Sequence, residues 1–559
     1  MRRFLLLFLI PVFTLSALSQ ENSTFKSQTN LVLVPVEVRN HGHHVPNLDR
    51  DKFTVLQDGK PQKVAVFDEV RTTTERLKRV AVGPSEFSNE YQGSPATARY
   101  TVIAIDRINT TTFDMQRLRQ GLVKFLTQVT DSGEPIRLIA INPATVEVIQ
   151  DFTTDPRAIA RALEQTATPA GKVSDTSASL NESLDYLAAV IQQNTSGDNA
   201  AQVTAAFLQQ LDNMKAMEQT SIAFQQRSAR LNSLEALQMV ARTLTGLPGR
   251  KSVVWASSGY PFAINVQETR NTAQDMKSVQ MNYSQVIEAG NLDEYTMHLL
   301  NAANIAIYPV DARGTVNTAW DVMDPSHKYS PSYAEKQGAQ LSNQEIISTF
   351  EHLAASTGGK ACFDATDLSK CFKDALDDAR DYYMVGYYAD SSTKAGWHKL
   401  QVKVAADASV RSRTGFIYSK LEPTDTRSYD MRLELGNYLM DPGIPFRGIW
   451  TIKGNSGDKK SIGFDVQISP GANLVGGQES HLNLDIAVIA RAKDGSTAGQ
   501  FAQKIDRTLP PEALQRVVEA GIHYTNAMDL LPGAYVVRIV IRDSNTGRMG
   551  SATTMVKVN

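Results

Sequence analysis

Few side chains in this sequence are placed to do chemistry. Ser257-Ser258-Gly259 follows the apolar run Ser252 to Ala256 and offers two hydroxyls. A serine nucleophile needs a base to take its proton, and in one large class a strained G-x-S-x-G turn to present it. That turn is absent and no histidine stands close by, so the loop is read as non-catalytic. His41-Gly42-His43-His44 could ligate a transition metal through imidazole, but a polar, Gly-containing run is also what a hairpin connection contains. Asp311 and Arg313 in Val-Asp-Ala-Arg-Gly close a second apolar run; an ion pair or loop cap is the expected use there, rather than acid–base work. Cys362 and Cys371 lie nine positions apart without C-x-x-C spacing. They are either a disulfide joining a strand end to the next helix or two buried thiols. The phosphate-binding pattern G-x-x-x-x-G-K-S/T is missing, which removes the usual support for nucleotide hydrolysis.

The elements that must position these residues are legible as alternating patterns. Residues 31 to 70 read as strands, with an Asp-Gly turn after KFTVLQ and PQKVAVF as its hairpin partner. Arg71 to Thr97 is polar and poorly periodic, the signature of a linker. From Ala98 strands alternate with helices: strands at Tyr100 to Ile105, Ile136 to Ile141, Val146 to Ile149, Ser252 to Ala256, Ile305 to Val310, Lys360 to Phe363 and Tyr382 to Tyr388. Helical periodicity covers Phe113 to Val129, Ser179 to Ile191, Asn199 to Leu247, Tyr283 to Ala302, Asn343 to Ser356 and Leu368 to Ala379. Such alternation predicts a mostly parallel sheet with helices on both faces. The methionines of Asn199 to Leu247 are expected in the core, as are Tyr382, Tyr383, Tyr387 and Tyr388, whose alternation fills both faces of a strand. After Asp390 strands return, and Asp430 to Asn559 has the turn spacing of a β-sandwich.

Composition bounds the function. The 559 residues carry 57 Lys+Arg against 59 Asp+Glu, 42% apolar and 21% charged residues. That is ordinary multidomain globular material. A net charge of −2 argues against a nucleic-acid partner bound by a basic surface, and against a polybasic membrane-surface role. Arg2 and Arg3, the apolar stretch Phe4 to Leu15 and Ser16-Ala17-Leu18-Ser19 have the order of a secretory signal cleaved after Ser19. The expectation is an exported protein, periplasmic or extracellular, with no transmembrane helix in the mature chain. Export in turn permits a Cys362–Cys371 bridge.

The stretches NLVLVPVEVRNHGHHVPNLDRDKFTVLQDGKPQKVAVF, YTVIAIDRINT, GRKSVVWASSGYPF, ANIAIYPVDARG, LAASTGGKACFDATDL and ARDYYMVGYYAD resemble the von Willebrand factor A-related domain proteins of the acidobacterial type, over roughly residues 30 to 420. The resemblance implies a Rossmann-like von Willebrand A domain over 98–390. Around it, 27–71 plus 391–420 are expected to form β-sandwich segments, as one split domain, with an immunoglobulin-like β-sandwich over 430–559. The fold class is therefore α/β and β multidomain.

In that family an ion site, where present, resembles a D-x-S-x-S loop with a Thr and an Asp from later loops. Mg²⁺ there takes oxygen ligands in octahedral geometry. Here the loop is Asp106-Arg107-Ile108-Asn109-Thr110, Ile108 replaces the first hydroxyl, and Ser258 stands where the later Asp is expected. The metal alternative would use Asp106, Thr110 and Asp175 or Thr176; the stronger reading is no cofactor. Open α/β sheets place ligands beyond their strand C-termini, so Asp106, Asn109, Thr110, Ser257, Ser258, Asp311 and Asp364 are the predicted binding crest. The expected function is non-enzymatic adhesion to a protein or surface polymer. The alternatives are an extracytoplasmic hydrolase or a structural component of an envelope assembly.

Overall fold

The computed structural model describes residues 31–71, 78–92, 100–128, 135–143, 145–166, 200–247, 249–259, 289–315, 333–378, 381–390, 392–419, 426–472, 474–476 and 480–559. The chain is a multi-sheet, mostly β protein with few helices. The signal segment, the helix predicted over Ser179 to Ile191, and Asp175 and Thr176 lie outside the described residues.

The sheet that carries the site has five strands, in the order Thr145–Thr153, Ile136–Asn142, Tyr100–Asp106, Lys251–Ser257 and Ile305–Asp311. The last four run parallel, and Thr145–Thr153 turns back antiparallel at the edge. Every residue of Tyr100–Asp106, Lys251–Ser257 and Ile305–Asp311 is buried, because helices cover both faces. On one face Met115, Leu118, Leu122, Phe125 and Leu126 recur at helical spacing along Thr112–Gln128. They pack with Leu368 and Phe372 against Ile103, Ile105 and Val254. A Cβ at Gly121 would stand 2.7 Å from Leu368 Cβ, so its absence sets how closely Thr112–Gln128 and Leu368–Asp378 approach. On the other face Leu234, Leu237, Val240 and Leu244 lie with Leu292, Leu300, Phe350 and Leu353 against Val102, Val253 and Trp255. The methionine-bearing region is one continuous helix, Ala200–Thr245; Met239 is buried in the core as expected, whereas Met214 and Met217 are exposed. The last turns of this helix form core.

Two elements expected as strands of this sheet do not join it as such. Lys360 to Phe363 makes no strand, only a bridge from Cys362 to Val310. Asp381–Tyr388, assigned from sequence to the 98–390 unit, runs antiparallel to Leu31–Asn40, with Leu31 opposite Tyr388, and to Val66–Arg71. Leu31–Asn40 also pairs with Ser409–Ser412. A second sheet joins Gly415–Tyr418, Gly396–Val404, Phe53–Gln57 and Lys60–Gln62, and the two share a core of Val34, Val36, Val55, Tyr383, Val385 and Leu400. Strands from before and after the α/β unit thus interleave. Tyr382, Tyr383 and Tyr387 are buried, while Tyr388 at the strand end is exposed. His41 and Gly42 form a positive-φ turn, and His44 bonds Glu69 (Nε2–Oε1 3.2 Å) and stacks on Tyr383.

Toward the C-terminus, Ile522–Leu530, Lys459–Ile468 and Phe446–Ser456 face a sheet of His481–Arg491, Thr497–Thr508, Gly533–Asp543 and Met549–Val558 across an apolar core. The first sheet has a fourth strand the sequence did not announce. Glu86–Ser88, inside the supposed linker, pairs antiparallel with Arg447, Gly448 and Ile449. Asn89 anchors it: its Nδ2 donates to Asp441 O at 2.6 Å and Ile444 O at 2.8 Å, and its Oδ1 accepts from Phe446 N at 2.7 Å. The long helix meets this region too. Arg242 donates to Asp430 at 2.5 Å, and Arg542 reaches the same carboxylate at 3.1 Å. A Cβ on Gly246 would stand 2.3 Å from Gly443 N.

Candidate functional site

Parallel strands end together, so the loops after Tyr100–Asp106, Lys251–Ser257 and Ile305–Asp311 converge at one rim of the sheet. Asp106 is its centre and is fully buried. Oδ1 accepts from Ile108 N at 2.9 Å and Asn109 N at 3.1 Å, the bonds of an Asx turn. Oδ2 accepts from Asn109 Nδ2 at 2.8 Å, Ser257 Oγ at 2.9 Å and Trp255 Nε1 at 3.4 Å. Burial pushes the carboxyl up from its ordinary range, against the opposing pull of Asn109, Ser257 and Ile108. Asn109 also donates to Ser233 Oγ at 2.9 Å, which ties the loop to the long helix.

A second carboxylate lies beside the first. Asp114 Oδ2 accepts from Ser258 Oγ at 2.7 Å and Thr111 Oγ1 at 2.8 Å, and Thr111 Oγ1 accepts from Asp114 N at 3.1 Å. This Thr-x-x-Asp reciprocity starts the helix Thr112–Gln128. Ser258 N donates to Thr110 Oγ1 at 3.3 Å. Asp311 is held by Arg313, with Nε to Oδ1 at 3.0 Å and Nη2 to Oδ2 at 2.7 Å. Burial raises its carboxyl, and Arg313 opposes that rise. Ala312 N donates to Ser257 O at 2.9 Å, and Asp311 N to Cys362 O at 2.9 Å. Cys362 and Cys371 are bridged, with a Cα–Cα distance of 5.8 Å, fastening that segment to the helix Leu368–Asp378.

The structure brings Asp106, Asn109, Thr110, Ser257, Ser258 and Asp311 together, but as the floor of the crest: all six are buried. Asp364 alone of the predicted set is exposed, at positive φ. Sequence reasoning missed Asp114, Ser233, Phe113 and Arg117. The T-x-x-D spacing at Thr111 and Asp114 was the available signal for the first; Ser233 arrives from a distant helix and had none.

The described residues of this set do not by themselves fit a divalent ion; Asp175 and Thr176 lie outside them. Asp106 already accepts from four N–H groups and shares the Ser257 hydroxyl with Gly259 O, Ser258 donates to Asp114, Thr110 accepts from the backbone, and Ile108 brings no oxygen. Among these side chains the buried oxygen without a hydrogen bond is Asn109 Oδ1, and one amide oxygen does not make an octahedral shell. Among the described residues no three His, Cys, Asp or Glu side chains cluster as a metal site. Neither serine hydroxyl is bonded to an imidazole; both face carboxylates.

No family model matches the chain, and no curated protein matches it. Among solved structures it is similar to a glycosyl hydrolase family 2 member from Bacteroides cellulosilyticus DSM 14838, at 7% identity and TM-score 0.16 over 32% of this chain and 20% of that one. It is similar to a mutant of the PilB minor pilin from Streptococcus sanguinis, at 9% identity and TM-score 0.23 over 63% and 88%. A third likeness is to the pilus adhesin SpaC from Lactobacillus rhamnosus GG, at 9% identity and TM-score 0.21 over 88% and 57%. The chain thus spans a fifth of the length of the first of these. Likenesses at such scores carry no argument.

Proposed function

We propose that this is an exported, non-enzymatic binding protein. Its parallel-sheet unit is a von Willebrand factor A-related domain that recognises a protein or surface polymer through the crest, without a metal ion. The observation that carries the reading is Asp106, whose two oxygens are held by four N–H donors of the chain itself, with the Ser257 hydroxyl shared between Oδ2 and Gly259 O. A carboxylate so engaged is a structural post for the loops. It leaves no base for a nucleophile and no open oxygen for a cation. The Cys362–Cys371 bridge supports an oxidising compartment, in keeping with the charged-then-apolar order of Arg2 to Leu15. Among the described residues no helix is long and apolar enough to cross a membrane.

Calorimetric titration of the purified mature chain with Mg²⁺, Mn²⁺ and Ca²⁺ is expected to give no saturable heat. A stoichiometric response lost in Asp106→Ala would overturn the metal-free crest. Crosslinking in the native envelope tests the binding role: a reproducible partner lost when exposed crest residues are changed supports it, and turnover of a captured substrate refutes it.

A further inference from the structure

With the six buried crest residues set aside, one aromatic–cation pair stands out among the described residues of the crest. Phe113, in the first turn of Thr112–Gln128, is 67% exposed. Arg117, one turn on, lies over its ring with the guanidinium carbon 5.0 Å from the centroid. Two other described arginines of the crest are engaged: Arg107 with Glu147 at 2.8 Å and Asn142 at 3.2 Å, and Arg313 with Asp311. Arg117 differs. Among the described residues it makes no hydrogen bond, and its nearest carboxylate oxygen, Asp114 Oδ1, is 3.9 Å away. That carboxylate already serves Ser258 and Thr111. The Arg117 stem is nonetheless confined, since a Cβ at Gly314 would meet its Cδ at 3.3 Å and Nη1 at 3.2 Å. A partly exposed guanidinium, only loosely paired with Asp114 and without a hydrogen bond among the described residues, held against an exposed aromatic ring, has the composition of an interface hot spot.

We infer that Phe113 and Arg117 are the contact point of the crest, and that they take a protein segment carrying a carboxylate beside an apolar side chain. The inference rests on the crest-binding reading above. The planar guanidinium matches a carboxylate with two parallel hydrogen bonds. Closing a partner over it without an acid would desolvate the cation with only the Asp114 carboxylate, 3.9 Å away, to offset the cost. A projecting ring suits insertion between partner side chains. It suits a sugar less, because the guanidinium already lies over one of the two ring faces on which a sugar would stack.

The probe is a random dodecapeptide phage library selected on the full mature chain, followed by calorimetry with the selected peptides made twice, once as such and once with Asp→Asn and Glu→Gln. The expected peptides place an acid next to an apolar residue. Amidation, Phe113→Ala and Arg117→Ala are each expected to weaken Kd about 10-fold or more, and Arg117→Lys to rescue only part, since an ammonium lacks the fork. Thermal midpoints are expected to shift little, because Phe113 is exposed and Arg117 makes no hydrogen bond among the described residues. Thr315→Trp, a bulky group at an exposed crest position, separates the two readings. Binding lost in Thr315→Trp but intact in Phe113→Ala and Arg117→Ala overturns this inference and leaves crest binding standing. Peptides indifferent to all three changes refute both, and recovery of no peptides refutes this inference. Amidated peptides that bind as well, or displacement by polygalacturonate with the same dependence on Arg117, refute the protein carboxylate as the ligand.

Discussion

Lys251 opens the central strand whose far end delivers Ser257 to the crest. It is 4% exposed, between Tyr100 and Ile305 on the neighbouring strands, and its Nζ donates to Gly249 O at 3.0 Å. Burial with no paired acid lowers its ammonium from 10.5 to about 7. In the unfolded chain the lysine returns to its ordinary value, so over the window from about 7 to 10.5 the unfolded state holds a proton that the folded state has lost. Stability must therefore rise with pH across that window, by up to ~1.4 kcal/mol per unit. Between pH 6 and pH 9 the difference from this one group is about 3 kcal/mol. Lys251→Met removes it, at the cost of leaving Gly249 O without its partner, about 1–2 kcal/mol. The variant should be more stable than the parent by about 3 kcal/mol at pH 6 and by less than about 1 kcal/mol at pH 9. Urea unfolding read by tryptophan fluorescence, with Trp255 buried in the same strand, measures the difference between the two proteins and cancels their other titrations. Parallel pH dependences would refute the buried-ammonium argument, as would destabilisation at both pH values.

Reduction, or Cys362→Ser with Cys371→Ser, opens a loop with a sequence separation of 9 and should cost about 2–3 kcal/mol; thermal unfolding with and without reductant checks this, and the double variant should no longer respond to reductant. Asn89→Ala removes the three hydrogen bonds to Asp441, Ile444 and Phe446 and leaves buried backbone groups unpaired, a loss of about 2–4 kcal/mol. Hydrogen exchange should then show faster opening at Phe446–Ile449, with the parallel sheet unaffected.

Much of the fold was readable because strands covered on both faces are unbroken apolar runs, as in Tyr100–Asp106 and Ile305–Asp311. The same property misplaced Asp381–Tyr388. A run buried on both faces looks alike in either direction and in either sheet, and only its pairing with Leu31–Asn40 reveals where it belongs. Glu86–Ser88 was invisible for another reason. Three residues carry no periodicity, and its anchor, Asn89, is polar because it satisfies backbone groups rather than filling a core. At the site, the strand-end rule found Asp106, Ser257 and Asp311, yet it locates loops and does not say which side chains face solvent. Phe113 and Arg117 were hidden inside an ordinary helical pattern, where an i, i+4 aromatic–cation pair reads as surface filler.

The strand Glu86–Ser88 bears on the order in which the chain can assemble. Asn89 and Phe446 are 357 residues apart in sequence, and the whole parallel-sheet unit lies between them. Loop-closure entropy grows only logarithmically with length, so the separation is tolerable once that unit has folded and brought its ends together. A chain delivered N-terminus first, however, holds residues 86–88 without their partner until the last quarter has emerged. The C-terminal sandwich then closes last, on an edge prepared long before. Cut out alone at residue 430, it would expose Phe446–Ser456 as an open edge and invite pairing between molecules.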